Sequence, residues 1–150
     1  MVGDGVRLED VVILGRGTQQ EVVDVVSGGG LAMERCRVEG GVGEGGGAVR
    51  VAGAGASLCA RESSMQSSQQ SGLVVLEGRA ALEHVTLNDC GMHGMWLVGT
   101  GSEVNAAHCR MEDSRRSNAV VKKGANAHIR HCSNNGSKER NGWEVEGKGS

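Results

Sequence analysis

The sequence lacks the residues that usually fill the core of a globular protein. Its 150 residues include no proline, no phenylalanine, no tyrosine and only two tryptophans. Because bulky rings dominate ordinary core packing, a chain without them must build its interior from Val, Leu, Ile, Met and Cys. Its apolar runs, such as 73–76, are far too short to cross a bilayer, and no charged-then-apolar leader opens the chain. We therefore expect no membrane partner.

Two further scarcities bear on the environment and the partners of the chain. The cysteines number five, an odd count, and nothing signals secretion, which favours reduced thiols in the cytoplasm or another intracellular compartment. A lost leader would reverse this and make the protein extracellular. The formal net charge is only −2, so we expect no nucleic acid partner. Charge is uneven, however, since residues 110–150 contain nine basic and five acidic residues.

What the sequence does contain is a phrase that recurs every 23 to 25 residues. In the phrase, two apolar positions flank a variable one, two variable positions follow, and then come Val or Cys, a variable residue and usually another apolar residue. The clear copies are Val6-x-Leu8-x-x-Val11-x-Ile13, Leu31-x-Met33-x-x-Cys36-x-Val38, Ala80-x-Leu82-x-x-Val85-x-Leu87 and Val104-x-Ala106-x-x-Cys109-x-Met111. Weaker copies read Ala56-x-Leu58-x-x-Arg61-x-Ser63 and Ala127-x-Ile129-x-x-Cys132-x-Asn134. A fixed period of this length is typical of a solenoid.

The spacing within each repeat predicts three short strands. Each phrase alternates like a strand, breaks at the two variable positions as a chain turning a corner would, and alternates again. A second alternating segment bounded by Gly or Asn follows, for example Gly72 to Gly78. Leucine-rich, ankyrin and tetratricopeptide repeats each need a helix, and helical periodicity is absent here. The sequence therefore predicts an all-β parallel solenoid of about six coils, forming a single domain over 1–150 or part of a longer β-helix.

The repeats resemble those of the right-handed parallel β-helices of the pectin-lyase-like superfamily, especially its carbohydrate-binding and sugar-hydrolase type. The resemblance covers about Val6 to Gly147. It implies a right-handed β-helix, and it leaves function open, since the superfamily includes polysaccharide lyases, hydrolases, epimerases and non-enzymatic adaptors. Met92-His93-Gly94 after Gly91 resembles the Gly-His-Gly element of polygalacturonases, but the acidic and Arg-x-Lys elements of that family are missing. Without proline, the Asp-Pro-His element of the epimerases is excluded.

The repeat aligns two columns of residues along the solenoid. The first column should point into the core as small apolar fillers and consists of Val11, Cys36, Val85, Cys109 and Cys132. The column before it should face solvent and consists of Asp10, Arg35, Ala60, His84, His108 and His131. Neighbouring strand residues face opposite ways, so His108 and Cys109 cannot share one metal ion, and their spacing is wrong for a zinc finger. A metal held by the histidines alone stays an alternative to polar corner residues.

Other candidate residues lie outside these two columns. Basic residues of the fifth coil could contribute to a partner-binding face and comprise Arg115, Arg116, Lys122 and Lys123. Glu62 to Gly72 is rich in Ser and Gln and reads as an exposed loop. Cys59 and Cys90 should lie near corners. Acids at Asp89, Glu112 and Asp113 are too scattered for a lyase site.

We therefore expect a non-catalytic β-helix module that offers a rigid binding or scaffold surface to a protein or a polysaccharide. The binding candidates are the basic residues of the fifth coil together with His84, His108 and His131. No catalytic residue, metal ligand or cofactor is predicted. The alternative is part of a polysaccharide lyase, hydrolase or epimerase. Because both end coils would expose strand edges, further coils or an end-to-end partner are expected as well.

Overall fold

The protein is a β-solenoid built from three parallel sheets, as seen in a computed structural model that describes residues 5–15, 21–40, 47–66, 70–88, 90–115, 118–135 and 143–145. Over those residues the only regular elements are strands, eighteen in number, and each sheet contains six. Nothing in the same ranges forms a helix of the length and apolarity needed to span a membrane. The predicted all-β parallel solenoid with three strands per coil is therefore confirmed.

Each coil contributes one strand to each sheet, in chain order. Sheet 1 consists of β1 (Val6–Glu9), β4 (Gly30–Glu34), β7 (Ser57–Arg61), β10 (Arg79–Glu83), β13 (Glu103–Ala107) and β16 (Asn126–Arg130). Sheet 2 consists of β2 (Val12–Leu14), β5 (Arg37–Glu39), β8 (Ser64–Gln66), β11 (Thr86–Asn88), β14 (Arg110–Glu112) and β17 (Ser133–Asn135). Sheet 3 consists of β3 (Glu21–Val25), β6 (Gly47–Ala52), β9 (Ser71–Leu76), β12 (Met95–Val98), β15 (Ala119–Lys122) and β18 (Trp143–Val145).

The corner between sheets 1 and 2 explains the break in alternation within each phrase. The residue after every sheet 1 strand has a positive φ, between 50° and 54°, although none is glycine. One left-handed residue turns the chain and points the next side chain inward again. In the first five coils, the backbone N–H of this residue still donates to a carbonyl of the next coil at 3.0 to 3.2 Å, as for Asp10 to Glu34 and His84 to Ala107. The parallel ladder therefore continues through the corner.

The core is a stack of aliphatic, methionine and cysteine side chains from the inward positions of all three sheets. In sheet 1, buried residues alternate with exposed or half-buried ones along the middle strands, as in β10 and β4. In sheet 2, one inward residue per strand is fully buried in the second to fifth coils, namely Val38, Met65, Leu87 and Met111. Flexible methionines fill the space that aromatic rings occupy in other proteins.

The register of the third coil differs from the sequence-based alignment. Leu58 pairs with Leu31 and Ala80, and Ala60 pairs with Met33 and Leu82. The phrase therefore reads Leu58-x-Ala60-x-x-Ser63-x-Met65, two residues later than predicted. Ala60 is thus a buried core residue instead of a corner residue, and Glu62 takes the corner position. The prediction failed because alanine fits both at Ala56 and at Ala60.

The segment predicted as an exposed loop, Glu62 to Gly72, is largely part of the coil. It contains β8 and the start of β9, and Ser63, Met65 and Ser71 are buried. Residues 67–69 lie outside the described ranges. The prediction of an exposed loop was therefore wrong for the described part, because polar side chains here occupy regular strand and corner positions.

Candidate binding surface

The outer face of sheet 1 has a central row of small side chains. In register from coil to coil, this row includes Ala32, Cys59, Ala81 and Asn105, with Arg7 and His128 at its two ends. Cys59, Ala81 and Asn105 are exposed. Since small residues cannot fill the space between longer neighbours, the row forms the floor of a trough along the solenoid axis, here called the sheet 1 groove.

Longer, charged side chains form the two walls of the sheet 1 groove. One wall includes Arg79 and Glu103, and the other includes Glu34, Arg61 and Glu83. Two adjacent depressions cover the groove, and Cys59, Ala81 and Asn105 line both of them. The floor is therefore continuous over the third, fourth and fifth coils.

The charges of the walls are paired between neighbouring coils. Arg61 Nε lies 3.5 Å from Glu83 Oε2, and Arg79 Nε lies 3.8 Å from Glu103 Oε2. At the N-terminal end of the groove, Arg7 contacts Glu34 at 3.1 Å. These exposed pairs add little to stability. Their consequence is that the described walls present both signs of charge, with no broad band of one sign.

Beside the groove runs the corner ladder, which we define as Asp10, Arg35, Glu62, His84, His108 and His131. All six residues are exposed. The imidazole rings of His84 and His108 stack with centroids 5.2 Å apart and an interplanar angle of 12°, and those of His108 and His131 stack at 5.2 Å and 9°. The three predicted histidines are thus brought together in one outward column. A left-handed conformation costs a non-glycine residue about 1 kcal/mol, although histidine and aspartate tolerate it better than most residues.

At the other end of the ladder, Arg35 forms a bidentate ion pair with Asp10 of the preceding coil. Arg35 Nε donates to Asp10 Oδ1 at 2.7 Å, and its terminal nitrogen donates to Oδ2 at 3.2 Å. The hydrogen bonds and charge of Arg35 lower the pKa of Asp10 below the ordinary value of 3.8. They also raise the pKa of Arg35 further, so the guanidinium is always charged.

The inward column behind the ladder contains Val11, Cys36, Ser63, Val85, Cys109 and Cys132. Cys36, Val85 and Cys109 are buried, whereas Val11 and Cys132 in the end coils are half-buried. All five cysteines of the chain are free thiols. Cys59 lies in the middle of β7 instead of near a corner, whereas Cys90 is buried between sheets 2 and 3, near the predicted place.

Polar side chains of this column form hydrogen bonds that apolar fillers could not. The Ser63 hydroxyl donates to the Arg61 carbonyl at 2.8 Å and accepts the N–H of Cys36 at 3.1 Å. In the same way, Cys132 Sγ accepts the N–H of Cys109 at 3.3 Å. The pKa of Cys109 is raised to about 11, mainly by burial of the thiol. The neighbouring Cys132 also raises this pKa, to a smaller extent. Cys109 is therefore an unreactive, protonated thiol at neutral pH.

The basic residues of the fifth coil do not form one cluster. Arg115 precedes β15 at the corner between sheets 2 and 3, whereas Lys122 ends β15 and Lys123 follows it in a left-handed turn with φ 54°. The length of β15 separates Arg115 from the two lysines. Arg116 lies outside the described residues, and so does Asp89.

The acids and histidines that could support catalysis are also dispersed. Glu112 pairs with Arg110 at 2.8 Å, and Asp113 lies in an exposed turn. His93 is buried at the corner between sheets 2 and 3, away from the sheet 1 groove. Within the described ranges, no three His, Cys, Asp or Glu side chains converge on a position that could hold a metal ion.

Sequence-based reasoning missed the floor of the groove and one member of the corner ladder. The floor occupies the variable position between the first two apolar residues of each phrase, and its small size in the second to fourth coils was a usable signal. Glu62 was missed because of the misaligned third coil.

Comparison of the chain with protein-family models, with curated protein sequences and with solved structures finds no match.

Proposed function

We propose that the chain is a non-catalytic β-helix repeat module whose sheet 1 groove binds an extended polypeptide of mixed charge. The observation that supports this most directly is the continuous floor formed by Cys59, Ala81 and Asn105 between walls of both charge signs. A rigid parallel sheet presents such a trough without any ordering of its own backbone, which reduces the entropic cost of binding.

The wall charges favour a polypeptide over an acidic polysaccharide. A polyuronate carries one negative charge on each sugar and needs a basic surface. In the groove, Arg61 and Arg79 are each offset by a glutamate of the next coil. A polypeptide with side chains of both charge signs complements this alternation. The side-chain amide of Asn105 in the groove floor can form hydrogen bonds with the backbone of such a polypeptide.

A neutral polysaccharide is the second ligand class and lacks support at the groove. Sugar rings are commonly bound by stacking on aromatic side chains. The residues that line the groove include no tryptophan, and the chain contains no Phe or Tyr. Trp96 lies on sheet 3.

The repeat pattern supports placing the module in the pectin-lyase-like superfamily as a right-handed β-helix, and this placement is part of the proposal. The alternative of a lyase, hydrolase or epimerase makes a separate prediction. Incubation with polygalacturonate or alginate would then release unsaturated or reducing-end products, and their loss on chelation would identify a metal-dependent lyase. Such products would overturn the non-catalytic proposal.

The binding test uses Cys59 as a reporter, because this exposed thiol lies in the groove floor. Peptides are selected from a random phage-displayed library on the immobilised full chain, and the rate of Cys59 alkylation is measured with and without each peptide. We expect selected peptides to slow alkylation at least fivefold. The variant Ala81→Phe should abolish selection, because the added ring fills the floor without entering the core.

Two controls test whether peptide selection and the slower alkylation of Cys59 depend on the groove. Ala54 is exposed in the turn between sheets 3 and 1, outside the groove. Ala54→Phe should leave selection intact, and a thiol moved there by Ala54→Cys with Cys59→Ala should not be protected. Retention of the protein on a glycan array without any peptide selection would contradict the polypeptide proposal and support the polysaccharide class.

A further inference from the structure

The first coil exposes more apolar surface than the inner coils of the described ranges. Val6 faces inward, whereas Val12 and Leu14 face outward at positions that are polar in the second to fifth coils. Val6, Val12 and Leu14 are 37%, 62% and 50% exposed, and they are the exposed large hydrophobic residues of the described ranges. Leu8, Val11 and Ile13 are only half-buried, although they occupy inward positions. The first strands of the three sheets also have an edge with which no other described strand pairs. This end of the solenoid is therefore an apolar surface bordered by strand edges that can accept a further strand.

The sixth coil has the complementary property at the opposite end. Its inward residues Ala127, Ile129 and Cys132 are half-buried, whereas the corresponding residues of the fifth coil are buried. The outer edges of β16, β17 and β18 likewise pair with no other described strand. Because all strands are parallel, the outer edge of the sixth coil has the polarity needed to pair with a first coil.

Stacking the sixth coil of one copy on the first coil of another would continue every column in register. Arg130 occupies the wall column of Glu9, and His131 occupies the corner ladder column of Asp10. The contact would thus set Arg130 against Glu9 and His131 against Asp10. In the core, Ile129 would continue onto Leu8.

The pairing of Arg130 with Glu9 carries opposite charges beside the corner where the ladder continues. A first coil stacked on another first coil would instead bring Glu9 and Asp10 near acids of the same kind. The charge pattern therefore favours a head-to-tail contact over a head-to-head one.

We propose that copies of this chain associate head to tail, with the sixth coil of one copy forming parallel strand pairs with the first coil of the next. The contact is heterologous and does not close on itself, so it generates a series of short filaments instead of a single dimer. This inference is independent of the sheet 1 groove, which each copy retains and which stacking would extend along one axis.

Sedimentation velocity over a range of concentrations tests the proposal on the full chain. We expect the average mass of the wild-type protein to rise continuously with concentration. Arg130→Glu sets two carboxylates against each other at the contact, and Glu9→Arg sets two guanidinium groups against each other, so each variant alone should weaken association at least tenfold. An equimolar mixture of the two variants should recover association, because in both kinds of mixed contact a carboxylate faces a guanidinium group. Circular dichroism of each variant verifies that the fold is retained.

Specific outcomes would overturn the proposal. A wild-type protein that stays monomeric at the highest concentration means that its ends are covered or do not bind another copy. A change of association in either direction in Glu9→Arg alone, with Arg130→Glu unaffected, indicates a head-to-head contact between first coils. Association of both variants equal to that of the wild type shows that the contact lies elsewhere on the surface.

Discussion

The imidazole rings of His84 and His108 lie nearly parallel, 5.2 Å apart, although 24 residues separate them in the sequence. His131 repeats the relationship on the next coil. Each ring is held in place because its residue has the same left-handed backbone and follows a sheet 1 strand of the same register. A column of three stacked imidazoles is thus a consequence of the parallel coil, and His108 is its central member.

Removing the central ring should therefore cost both stacking contacts. We expect His108→Ala to lower the free energy of unfolding by about 1 kcal/mol, since exposed aromatic pairs contribute about 0.5 to 1.5 kcal/mol each at most. Urea unfolding measures the change. His128→Ala is the matched control, because His128 is exposed on sheet 1 outside the ladder, and it should have little effect. Equal losses in the two variants would mean that stacking does not stabilise the coil.

The Arg35 and Asp10 pair predicts an acid titration below the ordinary aspartate range. Because Arg35 lowers the pKa of Asp10 in the folded state, the ion pair stabilises the protein above pH 3.8, and the contribution is lost as the pH falls through the lower folded pKa. NMR titration of the Asp10 carboxyl carbon should show this lowered pKa, and Arg35→Gln should return it toward 3.8. An unchanged titration in Arg35→Gln would contradict the pairing.

Cys109 predicts a loss of stability at alkaline pH. Its pKa is raised from 9.0 to about 11, so the unfolded state releases the thiol proton at lower pH than the folded state does. Stability from this group is complete below pH 9 and is lost as the pH rises toward 11. Valine occupies the same column at Val11 and Val85, so Cys109→Val should fold. Between pH 9 and pH 11, the free energy of unfolding of this variant should fall by about 1 kcal/mol less than that of the wild type.

Urea unfolding of Cys109→Val and the wild type at several pH values between about 8 and 11 isolates the thiol, since all other titrating groups are shared. Parallel pH profiles would contradict the raised pKa.

Ser63 should be needed for its hydroxyl and not for its volume. Its hydroxyl both donates to the Arg61 carbonyl and accepts the N–H of Cys36 at a buried corner. The Arg61 carbonyl also accepts from Arg35 N–H, so Ser63→Ala removes the partner of the buried Cys36 N–H. We expect a loss of about 1 to 3 kcal/mol in thermal or urea unfolding. Ser63→Cys should be milder, because Cys132 makes the equivalent contact to Cys109. A milder effect of alanine than of cysteine would show that packing dominates at this corner.

The structural features that the sequence predicted correctly lie where the repeat of apolar residues is strict. Leu82 and Val85 flank a break of two residues, and that break alone indicated a corner between two sheets. The third coil shows the limit of such reasoning. Alanine at Ala56 and Ala60 and polar residues at Arg61 and Ser63 left two alignments open, and only hydrogen bonding to the neighbouring coils decided between them.

The sheet 1 groove could not be predicted in the same way. Its floor depends on which variable residues become neighbours across coils, such as Cys59 and Ala81, and on the length of the side chains on either side. Sheet 3 gave another unexpected result, because Val74 and Val120 are buried although they face away from the core residues of their strands.

The sequence by itself determined the parallel β-solenoid, the inward column and the outward histidines, because a repeating pattern of apolar side chains can be buried only by stacking equivalent coils. The tertiary structure decided the register of the third coil, the pairing of Arg35 with Asp10 and the sheet 1 groove. These features depend on distances between residues about 25 positions apart, which side-chain length and backbone hydrogen bonds set and which periodicity does not encode.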